Sequence, residues 1–128
     1  MTRFINPASA PKPVGPYSSA CLLENGFLFL SGQIGLNPKT GEMAGNTISE
    51  QTTQILNNIK NILTEMSYSI SDIIKVVVYL KDISKFSEFN NLYEKFLGNH
   101  KPIRTTVEVS NLPKDALIEI EVTCFHQK

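Results

Sequence analysis

Histidine and cysteine are scarce in this chain of 128 residues, which holds two of each. His100 and His126 have no close partners at metal-ligand spacing. No HExxH, Cys/His cluster or carboxylate-rich calcium loop occurs, so no metal site is expected. Cys21 and Cys124 form no CxxC and read as buried, reduced thiols, with no disulfide scaffold. Phosphate-cradling glycine motifs are missing too. Gly32-Gln33-Ile34-Gly35 is too short to hold a dinucleotide, and no cofactor is expected. No GxSxG elbow and no Ser/His/Asp order points to acyl transfer.

Charge of one sign is also lacking. Twelve basic and twelve acidic residues cancel. A nucleic-acid binder gains its affinity by neutralising phosphates, so such a partner is not expected. No apolar run reaches membrane-spanning length and no signal peptide is visible, which makes the cytoplasm the default location.

What is present is enough for one globular domain, since 41% of the residues are hydrophobic. Four prolines among the first 16 residues make residues 8–15 an extended loop. Residues 17–23 and 27–31 read as strands joined by a two-residue Asn25-Gly26 turn. That register sets Leu22 against Phe29 and Ala20 against Ser31, with Tyr17 on the face opposite Ser31. Thr47-Ile48-Ser49-Glu50 matches a capping box. Behind it Ile55, Ile59, Ile62, Leu63 and Met66 line one helical face.

Residues 72–80 are β-branched and read as a central strand covered on both faces. Ser84 and Gly98 bracket a second helix with Phe86, Phe89, Tyr93, Phe96 and Leu97 on its stripe. Residues 104–109 and 117–125 alternate as a final hairpin. The order is β-β-α-β-α-β-β: an α+β fold with one mixed sheet and two helices on one of its faces. The other face is left for a second subunit to cover, which points to a homo-oligomer.

The remaining chemistry sits in Arg104, Glu119, Glu121, Tyr17, Ser31 and Asn90. Arg104 offers a planar donor fork that fits a carboxylate. Equally, it can form a cross-strand ion pair with Glu119 or Glu121. Glu119 can be a solvated strand residue, Ser31 a strand-end residue, and Asn90 a solvent-facing one.

Several segments, in order, resemble one family. They are Gly15-Pro16-Tyr17-Ser18, Ser31-Gly32-Gln33-Ile34, Asn37-Pro38-Lys39-Thr40-Gly41-Glu42, Ile103-Arg104-Thr105-Thr106, and Leu112-Pro113-Lys114-Asp115-Ala116 with Ile118-Glu119-Ile120-Glu121. The chain is similar to the reactive intermediate deaminase A (RidA, YjgF-like) family from about residue 6 to 125.

The resemblance implies a chorismate-mutase-like single domain over residues 1–128 and a homotrimer with sites between subunits. It implies a small carboxylate substrate, a 2-imino or 2-enamino acid, hydrolysed to a 2-keto acid and ammonia without a cofactor. Arg104 would hold the carboxylate, and Glu119 would position or deprotonate water. Tyr17, Ser31, Gly32, Asn90 and Thr106 would line the pocket, with Tyr17 and Ser31 serving one site from different subunits. Thr106 stands where many members carry cysteine. Two other readings remain open: a keto-acid-binding regulatory module without turnover, and RNA cleavage or translation inhibition.

Overall fold

The computed structural model describes residues 1–127. Along them run β1 (Thr2–Ile5), β2 (Ala20–Leu23), β3 (Phe27–Leu30), α1 (Ile48–Glu65), β4 (Ile73–Leu80), α2 (Phe86–Leu97), β5 (Ile103–Glu108) and β6 (Ile118–Phe125). The strands form one mixed sheet in the order β1-β2-β3-β6-β4-β5. Only β4 and β5 are parallel, because the α2 crossover between them returns the chain to the same end. This is the chorismate-mutase-like architecture.

Thr47 caps α1 as its sequence signature indicates. Its hydroxyl accepts the Glu50 N–H at 3.1 Å and donates to the Glu50 carboxylate at 2.9 Å. Ile55, Ile59, Ile62 and Leu63 then pack onto the sheet residues Leu28, Val76, Val78, Ile118 and Ile120, all nearly inaccessible to solvent. Each such side chain contributes roughly 1.5–3 kcal/mol of burial. Phe89, Tyr93 and Leu97 do the same from α2.

Three features of strand pairing differ from the sequence reading. The N-terminal segment adds β1 at the sheet edge, paired with β2; its lack of a long apolar run hid it. The β2–β3 loop has three residues, Glu24 to Gly26, and Leu22 faces Leu28. Gly26 takes φ +105°, and a side chain there would strike the His126 carbonyl, so the turn depends on glycine. The register therefore moves by one residue, which exchanges faces. Last, β5 and β6 form no hairpin: β6 enters between β3 and β4, and β5 takes the edge beyond β4.

Only the helix side of the sheet is covered within one chain. Following the register across it, Phe4, Cys21, Phe29, Thr123, Lys75 and Ile103 share one row of the open face. Phe4 is 71% exposed and Ile103 is 69% exposed. Cys21 is accordingly only half-buried, whereas the Cys124 thiol is buried and pushed up to about 12. β4 is thus covered on one side, not two. No helix among the described residues is long and apolar enough to cross a membrane.

Candidate active site

The candidate residues gather in two clusters. The first lies on the helix side of the sheet. Arg104 pairs in register with Val76, and that face turns it toward α2. Its guanidinium carbon sits 5.3 Å from the Phe86 ring centre, 5.7 Å from Phe89 and 4.8 Å from Tyr93. Its Nη1 donates to the Asn90 Oδ1 at 2.8 Å. Rings that favour a cation and one neutral acceptor thus fix the plane of the fork.

Among the described residues no carboxylate pairs with Arg104. A cleft of about 320 Å³ opens beside it; Asn90, Tyr93, Glu94, His100, Lys101 and Arg104 itself are among its lining residues. Thr106 lies two residues along the same face. Its hydroxyl is buried and has no hydrogen-bond partner among the described residues. Burial raises the Tyr93 phenol's pKa, and the Arg104 charge works against that rise.

The second cluster lies across the sheet. Glu119 shares its row with Tyr79 and Val107 on the open face. Its carboxyl is half-buried, and burial raises its pKa, with the Glu121 charge adding to the rise. The Tyr79 hydroxyl donates to Glu121 at 3.0 Å. A cleft of about 280 Å³ brings Tyr17, Ser31, Gly32, Pro113 and Val14 around Glu119.

Between the paired Phe29/Thr123 and Gln33/Ile120, residues 30–32 stand opposite residues 121–122. This bulge delivers Gly32 to Glu119. A methyl group on Gly32 would occupy the space of the Glu119 carboxylate. The Ser31 hydroxyl donates to the Ser18 carbonyl at 2.7 Å, which leaves its lone pairs to accept. The Tyr17 hydroxyl accepts the Val14 N–H at 3.2 Å.

These placements correct two expectations. Tyr17 and Ser31 line one cleft of a single chain, because the three-residue loop shifts the β2–β3 register and the Ser31 amide bonds to the Ser19 carbonyl. An ion pair of Arg104 with Glu119 or Glu121 within one chain does not form, because the register sets them on opposite faces.

A family model described as Endoribonuclease L-PSP matches residues 7–125. A RutC family protein of Pyrococcus horikoshii is 50% identical over 127 residues, covering 99% of this chain and all of its own. The chain belongs to the RidA (YjgF-like) family. Among solved structures, RidA from an Antarctic Psychrobacter superposes with a TM-score of 0.91 at 34% identity, covering 97% of this chain and 99% of that one. Escherichia coli TdcF with bound serine gives 0.90 at 34% identity, covering 98% and 99%.

In this RidA-family chain the reading from sequence passed over Phe86, Phe89 and Tyr93 as neighbours of Arg104. Their spacing along one face of α2 was the signal, and it was read as core alone. Asn90, solvent-facing by pattern alone and a pocket residue by resemblance, occupies the same face and is the acceptor that orients the arginine.

Proposed function

We propose that the chain assembles as a homotrimer and hydrolyses 2-imino and 2-enamino acids to 2-keto acids and ammonia. The observation that carries this reading is Arg104: a half-buried, ring-stacked guanidinium that no carboxylate pairs with among the described residues, beside an open cleft. Such a group calls for an anionic ligand, and its planar fork suits a carboxylate. The serine in TdcF supports a ligand of the amino-acid class. Apolar residues on the open face and Arg104 near the β5 edge support assembly, in which Arg104 of one copy faces the Glu119 cleft of the next.

The chemistry then needs little. Arg104 fixes the carboxylate, so the C=N carbon is presented in one orientation. Glu119 takes a proton from water as the water oxygen bonds to that carbon, giving a carbinolamine. Glu119 hands that proton to the nitrogen; it then takes the carbinolamine hydroxyl proton as the C=O forms and passes it to the nitrogen as the C–N bond breaks, so ammonia leaves with a keto acid. An enamine first shifts a proton to its β-carbon to become the imine. The free lone pairs of the Ser31 hydroxyl are available to the carbinolamine.

The test couples a PLP-dependent threonine dehydratase to this protein and follows release of 2-ketobutyrate. Faster release in the presence of the protein, and its loss in Glu119→Gln, is the expected result. Unchanged release with measurable keto-acid binding would favour a binding module instead.

A further inference from the structure

We propose that Lys12, Lys39 and Lys114 form a separate binding cleft for a small organic phosphate. The three lysines line a hollow of about 320 Å³ together with Pro11, Pro13 and Leu36. No aspartate or glutamate among the described residues lines it. In a chain with equal numbers of acidic and basic residues, three lysines lining one hollow are a local excess of positive charge. A dianion seated among them is attracted by all three charges.

Defined turns carry two of them. The Asn37 side-chain oxygen accepts the N–H of Lys39 at 2.8 Å and of Thr40 at 3.3 Å. The Asn37 carbonyl accepts the Gly41 N–H at 2.8 Å. Lys114 takes φ +55°, a left-handed conformation uncommon for a side chain of this kind, inside the short turn Pro113–Asp115. The neighbouring Asp115 carboxylate lies 3.6 Å from the Lys81 ammonium and so serves a cation outside the hollow. Two prolines set stiff walls from the N-terminal segment.

The walls define the ligand class. Inorganic phosphate would use the lysines and leave the apolar surface of Pro13, Val14 and Pro38 idle. A phosphate monoester with a ring-sized apolar body uses both, with lysine acting as a point charge on the phosphate. The hollow shares Val14 with the Glu119 cleft, but none of its lysines touches that cleft or the Arg104 cleft.

Phenyl phosphate is the probe, titrated calorimetrically against the assembled full chain at low salt. Saturable binding at one site per chain is expected, several-fold tighter than inorganic phosphate. Lys39→Gln with Lys114→Gln should weaken it at least about tenfold, since charge-assisted contacts are lost. That variant should keep the wild-type melting temperature and imine hydrolysis at saturating substrate. Arg104→Ala should bind phenyl phosphate as the parent does. Absence of saturable binding, equal affinity for inorganic phosphate, or binding unmoved in the lysine variant would overturn the proposal. So would loss of binding in Arg104→Ala, which would assign the anion to the arginine.

Discussion

Arg104 and Glu119 stand on opposite faces of one sheet, Arg104 in the row of Val76 and Val122, Glu119 in the row of Tyr79 and Val107. A site that uses both must draw them from two copies. Arg104→Ala and Glu119→Gln chains should therefore each be inactive alone and regain activity when unfolded together and refolded as mixed trimers. A random mixture at equal amounts places an intact arginine against an intact glutamate in about one quarter of the interfaces. Recovery near that fraction is the expected outcome of the coupled assay; none at all, with mixed trimers verified by mass, would refute the shared site.

Arg104→Lys keeps the charge and loses the planar fork that Asn90 and the three rings orient. Turnover should fall roughly 10- to 150-fold, the loss of one oriented charge-assisted contact of about 1.5–3 kcal/mol. Light scattering and thermal melting should show an intact trimer with a small change in Tm. Near-normal turnover in that intact trimer would remove Arg104 from the carboxylate-binding role.

Gly32→Ala tests the close approach of backbone and carboxylate. The atom in the way is the far end of the Glu119 side chain, which can rotate aside without moving the sheet. The variant should fold and melt close to the parent, yet lose most hydrolysis because Glu119 has left its position. Equal loss of stability and activity would point to a backbone role for Gly32 instead.

Glu119 should govern the acid limb of the pH–rate profile. Its pKa lies above the ordinary carboxylate range, through burial first and the Glu121 charge second. Glu121→Gln removes the second cause and keeps an oxygen for the Tyr79 hydroxyl, so the limb should move to lower pH. The same shift has a stability consequence. A raised folded-state pKa means the folded chain holds the proton more tightly. That contribution is present below the unfolded pKa and is lost as pH rises through the folded value. Glu119→Gln should then melt higher than the parent at pH 8, and the gain should vanish at pH 4.

Much of the architecture was legible in local chemistry. The Thr47 cap, the isoleucine stripe of α1 and the Gly98 stop carry their meaning within a few residues of sequence. The β5 strand shows where such reading ends. Alternation in residues 103–108 separates two sets of side chains but cannot say which set meets the helices. Arg104, Thr106 and Glu108 form the polar set; their pairing with β4, fixed by the α2 crossover, turns Arg104 onto aromatic rings. Likewise Asn25-Gly26 signals a tight turn, and only the third loop residue, Glu24, decides which face Ser31 shares with Tyr17. The two clusters were thus readable as residues and not as places.

The strand at the middle of the sheet is also the last of the six in chain order. Without β6, residues 1–117 hold two unconnected pieces, β1-β2-β3 and β4-β5, each lacking its neighbour. Ile118, Ile120 and Val122 join them and complete the core beneath α1. During synthesis the sheet must therefore wait, its inner edges bare, until residues 118–125 have emerged. Long-range pairing of this kind is slow to form. The interval before closure is when the nascent chain is most open to unwanted strand pairing.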